Sequence, residues 1–354
     1  MFLGKTIYLL NDQQNLSKMI YTFTFNEKFL PALKGNLTPD EAKIVYHFIN
    51  SNFIKRDNFF LKTNLKRKQF FKFDCNGGNG PLVKNLLNKL NRKYQNFPDK
   101  LDTVDFIFSN EKEESDKSTI SVKKIIDASD SLEEEIDDKC KPFWQQKSNK
   151  SDEENKEDLI ILLKRIITHS DEIFIIDRHA PANILDAKKL YKQQNKIKYA
   201  QSYLNTFEFF NSIIKNANVK NRFYGGLLEN KYKYYSDTQK SNGKIISPGI
   251  NVDKILKESF QKFADSKTIV HIISKYEAYD NLQFYKRLIV GLIGNELFAM
   301  IRTEKGLNLI DENNMLQKSK RKFDFVRQEI ALDDWQDWHL HVRYVEPKLK
   351  FVSI

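Results

Sequence analysis

Three polar residues, Asp177-Arg178-His179, follow directly on the apolar run Glu172-Ile173-Phe174-Ile175-Ile176. A run of that kind suits a strand covered on both faces, and its carboxyl end is where open sheets with helical crossovers place ligands. A histidine there can act as base or nucleophile, an aspartate can orient it, and an arginine can hold a phosphate. The structural alternative is a strand-end cluster that starts the next helix. A second group, His339-Leu340-His341-Val342-Arg343, puts both imidazoles and the guanidinium on one strand face through the two-residue period. Such a pair can join Asp177 and His179 or ligate a metal, but no cysteine or further histidine lies nearby to close a zinc site. No metal is therefore assigned, and a cationic strand face is the expectation. Asp177, His179 and His341 remain the catalytic candidates. Magnesium enters only under a nuclease reading, in which Asp171, Glu172, Asp177 and Asp186 supply carboxylates.

The densest basic feature spans residues 54–72, where Lys55, Arg56, Lys62, Lys66, Arg67, Lys68 and Lys72 face one acid, Asp57. They interleave with Phe59, Phe60, Phe70 and Phe71. Cations for a phosphate backbone beside rings that stack bases are the ingredients of a nucleic-acid groove. The same pattern also fits a core strand with a solvated cationic face. Arg178 and Arg343 would line a second basic surface. The turn Cys75-Asn76-Gly77-Gly78-Asn79-Gly80-Pro81 opens a helix and can offer amides to a phosphate. It lacks the Gly-Lys-Ser/Thr of a nucleotide loop and the spacing of a dinucleotide fingerprint, so a tight capped loop is the simpler reading.

The strand ending in Asp177-Arg178-His179, then Val270 to Ser274, then Tyr285-Lys286-Arg287-Leu288-Ile289-Val290-Gly291 and Glu304-Lys305-Gly306-Leu307 together resemble phospholipase D-like domains of bacterial defence and mobile-element proteins. The resemblance covers residues 160–310. It implies a His-x-Lys pair in which the histidine forms a phosphoenzyme and the lysine holds phosphoryl oxygens. None of the six histidines is followed two places on by lysine, and Tyr285-Lys286-Arg287 stands where the pair is expected. The resemblance thus implies a copy that binds rather than cuts, as a subunit of an antiviral or mobile-element complex.

The elements that position these groups are legible in part. Thr6 to Leu10 and Ile20 to Phe25 read as strands, and Thr38-Pro39-Asp40-Glu41 as a capping box opening a helix. Pro81 to Tyr94 reads as a helix and Val104 to Phe108 as a strand. Residues 109–158 hold 16 acids against 9 bases, and the part from 110 to 155 reads as an acidic linker or insertion with one short helix at Leu132 to Lys139. Beyond it the pattern predicts a helix at Leu159 to Ile167, the strand at 172–177, and helices over 184–214 and 252–263. A strand over 268–274 follows, then a hairpin of 288–293 and 297–303. The chain closes with a helix near 323–332 and strands near 339–345 and 349–352. The fold class is mixed α/β. A smaller α+β domain occupies residues 1–109, and a mixed sheet flanked by helices occupies residues 156–354.

The chain has 354 residues and a net charge of +11, and outside residues 109–158 the charge is +18. A body this basic seeks a polyanion. Two cysteines support neither a disulfide framework nor a thiolate zinc site, and no stretch of 18 uncharged apolar residues suggests a membrane span. The expectation is a cytoplasmic protein without membrane or cofactor that binds nucleic acid non-catalytically, with a protein partner in a complex. The rivals are a metal-dependent nuclease or phosphodiesterase centred on Asp177 and His179, and a protein-interaction scaffold.

Overall fold

The computed structural model describes residues 19–63, 67–94, 104–110, 119–177, 179–189, 194–214, 217, 219–260, 267–273, 287–294, 296–303, 306–317, 322–326 and 350–353. Two compact units divide between Pro142 and Phe143.

The first unit starts with β1 (Tyr21–Phe25), α1 (Phe29–Gly35) and α2 (Pro39–Ile49). The expected capping box is present: Thr38 Oγ1 accepts from the Glu41 N–H, and the Glu41 carboxylate accepts from the Thr38 N–H. The last turn of α2 widens over Asn50–Ile54, where the Lys55 N–H reaches back to the Asn50 carbonyl. Then come β2 (Phe59–Leu61), α3 (Arg67–Phe70), α4 (Gly80–Leu90), β3 (Phe106–Ser109), β4 (Thr119–Ser121) and α5 (Val122–Lys139). The four strands form one parallel sheet in the order β2-β1-β3-β4.

Its core is aromatic. Phe23, Phe53, Phe59, Phe106 and Phe108 are buried together, with Phe53 edge-on to four of its neighbours. At the carboxyl ends of β1 and β3, where a parallel sheet of this order opens its crevice, Phe25 stacks on Phe108 and packs against Phe29 and Phe70. The crevice is filled by rings.

From residue 119 onward, the acidic stretch expected to be a linker or insertion is folded, and its residues 111–118 lie outside the described residues. Ser121 caps α5 by accepting from the Lys124 N–H; Ile125 before and Leu132 and Ile136 after a break at Ala128 (φ −148°, ψ 34°) enter the core, while Glu133, Glu134, Asp137 and Asp138 face solvent. The abundance of acids reflects one solvated helix face. Four buried apolar positions in eighteen, Val122 with Ile125, Leu132 and Ile136, are enough to dock it.

The second unit opens with β5 (Phe143–Gln145), α6 (Asp152–His169), β6 (Glu172–Ile176), α7 (Ala180–Lys189), α8 (Gln194–Ile214) and β7 (Lys220–Leu228). After these come α9 (Glu229–Ser236), β8 (Gln239–Ser241), β9 (Lys244–Ser247), α10 (Val252–Phe260), β10 (Lys267–Ile273), β11 (Arg287–Ile293), β12 (Glu296–Thr303), β13 (Lys322–Phe325) and β14 (Lys350–Ser353). Eight strands make one sheet in the order β14-β10-β7-β6-β11-β12-β13-β5. The pairs β6·β7 and β7·β10 are parallel and the rest antiparallel. The mixed sheet flanked by helices is therefore the observed class.

Of the helix expected near 323–332, residues 323–325 belong to β13, where Phe323 and Phe325 alternate with Lys322 and Asp324 along an antiparallel partner, and residues 327–332 lie outside the described residues. The expected strands at 6–10 and 339–345 lie outside the described residues. Among the described residues no helix is long and apolar enough to cross a membrane.

Candidate functional site

β6 is buried along nearly its whole length, as its sequence requires, and Asp177 stands one residue beyond it with no exposed surface. One carboxylate oxygen accepts from the His179 N–H at 2.9 Å. That bond turns the chain into α7, whose first turn closes with the Asn183 N–H on the His179 carbonyl. The other oxygen accepts from the Leu307 N–H at 2.8 Å and from the Tyr203 hydroxyl at 3.3 Å. A buried carboxylate needs such donors, and here three converge from three chain segments. Burial, and next the Asp177 charge, hold the Tyr203 phenol well above its ordinary range, so it stays a donor; Asn183 and Arg287 act in the opposite direction.

The segment carrying Leu307 is held by α8 as well. Thr206 Oγ1 accepts from the Leu309 and Ile310 N–H groups at 2.8 and 3.0 Å. Ser202 donates to the Ile310 carbonyl, and Asn205 donates to the Asp311 carbonyl. Gly306 permits the close approach: a Cβ there would stand 2.8 Å from the Tyr203 hydroxyl and 2.9 Å from Asn308 Oδ1, so one of these side-chain ends would have to shift. The whole assembly is a polar latch tying β6, α8 and residues 306–311 together.

Asp177 is thus an internal acceptor in this geometry, and His179 contributes its backbone to the latch while its half-buried side chain lies at the start of α7. Glu172 and Asp171 lie at the opposite end of β6 from Asp177, about 17 and 20 Å away by strand rise. Asp171 accepts from the Gly294 N–H, and Asp186 accepts from the Tyr235 hydroxyl. The four carboxylates named for magnesium are therefore not brought together. Among the described residues no three His, Cys, Asp or Glu side chains converge as metal ligands.

The basic segment divides differently from its sequence pattern. Phe59, Phe60 and Phe70 are core side chains, and Phe71 is half-buried against Phe70 and Tyr94. Phe59, Phe60 and Phe70 are unavailable to stack bases, because β2 and the one-turn helix α3 bury their rings. Arg56 is engaged by Asp137 and Asn52 and lies over the Phe59 ring. Lys62 is half-buried. Arg67 donates to Asn91 at the end of α4 and lies over Tyr94, which brings α3 beside that helix end.

Lys55, Lys68 and Lys72 are exposed, as are Lys84 and Arg92 on and after α4, and none of these five makes an ion pair among the described residues. Lys66, Arg178, His341 and Arg343 lie outside the described residues. The glycine turn is structural: the Asn79 side chain donates to the Leu33 and Leu37 carbonyls and its N–H to that of Lys34, closing α1. Gly80 presses on the Cys75 carbonyl so closely that a Cβ would lie at 1.8 Å.

Sequence reasoning missed Tyr203, Thr206 and Gly306. Ser202, Tyr203 and Thr206 share one helix face by their spacing, but nothing in the sequence names residues 306–311 as their partner. No family model, curated protein or solved structure matches this chain.

Proposed function

We propose that the chain binds nucleic acid through phosphate contacts and without catalysis. The observation that carries this reading is the set of solvent-facing cations of the first unit: Lys68 and Lys72 on and just after α3, Arg92 just after α4, whose end Arg67 of α3 reaches at Asn91, and Lys55 after the widened turn of α2. No carboxylate pairs with the four exposed ones among the described residues. A polyanion is the counter-surface for such a set in a chain of net charge +11, since each phosphate contact releases condensed counterions. With Phe59, Phe60 and Phe70 inside the core, base stacking does not contribute, and the reading is of backbone binding that tolerates sequence and accepts duplexes. The internal engagement of Asp177 supports binding in preference to hydrolysis.

The test is fluorescence anisotropy with labelled duplex and single strands for the wild type and a K68A/K72A/R92A variant. The variant should lower the salt slope by about 2.7, roughly 0.9 for each lost phosphate contact. An unchanged slope would remove this surface from the interface. Strand cleavage with magnesium that survives purification would put the nuclease reading first.

A further inference from the structure

β8 and β9 pair only with each other among the described residues, joined by Asn242-Gly243 with φ of 49° and 74°, the geometry of a tight hairpin turn. Two short strands alone are marginal in water, and this ribbon is fastened at its base. The Gly249 N–H donates to Thr238 Oγ1 and the Ile250 N–H to the Tyr235 carbonyl, and Tyr235 is itself buried. Beyond that base, every residue from 240 to 246 is exposed. Ile245 and Ile246 are 63% and 67% exposed, more than any other large apolar side chain described. A register shift leaves Ile246 without a cross-strand partner, while Lys240 faces Ile245 and Lys244 faces Ser241. Residues 239–247 contain no acid.

We propose that this ribbon is an arm that enters the groove of a nucleic-acid duplex, with Lys240 and Lys244 on the phosphates and Ile245 and Ile246 against the bases. The proposal rests on the nucleic-acid reading above. A major groove about 12 Å wide admits a two-stranded ribbon. Isoleucines this exposed can touch thymine methyls or wedge between base steps. A lipid bilayer fits less well, because the tip is Ser241-Asn242-Gly243-Lys244 and the apolar pair sits behind it. A second copy pairing edge to edge is opposed by the bulge and by the lysines, which are devices that blunt strand edges.

The experiment compares full-length wild type, I245S/I246S and K240A/K244A by anisotropy on labelled duplex DNA across a salt series, with heat-unfolding midpoints as the folding control. The isoleucine variant should bind duplex about tenfold or more weakly with the salt slope intact, and the lysine variant should lower the slope by about 1.8. Wild-type binding that both variants retain in full would overturn the arm while leaving the nucleic-acid reading in place. Absence of wild-type binding at low salt would overturn both. Loss in I245S/I246S of sedimentation with phosphatidylglycerol vesicles, or of self-association, at unchanged duplex affinity would also overturn the arm.

Discussion

Replacing Asp177 should unfold the second unit more readily, and the size of the effect follows from its three donors. Asp177→Ala leaves the His179 and Leu307 N–H groups and the Tyr203 hydroxyl without their acceptor at a fully buried position. Each orphaned group costs about 1–3 kcal/mol, and partial relaxation within one cluster brings the total to about 3–5 kcal/mol. Asp177→Asn keeps one acceptor oxygen and turns the other into a donor that faces donors, so it should cost about 1.5–3 kcal/mol. Tyr203→Phe removes only the longest of the three bonds and should cost about 1 kcal/mol. The assay is urea unfolding read by tryptophan fluorescence. Trp144, buried in β5, makes the signal report on the second unit. If Asp177→Ala unfolded within about 0.5 kcal/mol of wild type, or more stably as removal of a catalytic carboxylate can be, the latch account would be wrong.

Burial pulls the Lys93 ammonium down to about 8, against the opposing pull of Asp57. The unfolded chain then binds that proton more tightly, so stability of the first unit should be lowest below about pH 8 and rise toward pH 10, by at most about 3 kcal/mol. Lys93→Met should flatten that rise in unfolding followed by far-ultraviolet circular dichroism. Leu132→Ala, at a buried position of α5, should cost the first unit about 2–5 kcal/mol in the same assay, whereas a true linker would leave it unchanged. Gly306→Ala should displace the Tyr203 hydroxyl from Asp177 and lower the urea midpoint of the second unit, with a smaller loss in a Tyr203→Phe background, since the two changes strike one contact.

Local sequence signals suffice where one segment determines its own structure. The Thr38 to Glu41 box, the apolar run of β6 and the 288–303 hairpin each carry start, stop or period within a few residues, and each is present. Failures occurred where the deciding partner is distant in sequence. Acid content marked residues 110–155 as a linker, yet docking of α5 depends on Ile125, Leu132 and Ile136, which are sparse among charges and legible only by their spacing. Phe59, Phe60 and Phe70 satisfied both a stacking and a core reading, and the aromatic core around Phe53 decided between them. Asp177 was singled out for chemistry by its place after β6. The donors that engage it come from α8 and from residue 307, which is 130 positions away, and no local pattern reports such a contact.

The most direct test of the central claim is the affinity of the wild-type chain for a labelled duplex, measured by anisotropy from about 50 to 200 mM salt, with gel analysis of the recovered strands. The account predicts a straight fall of log affinity with log salt, a slope that reports at least three phosphate contacts, and intact strands with or without magnesium. Affinity that ignores salt, or no association at the lowest salt, would contradict it.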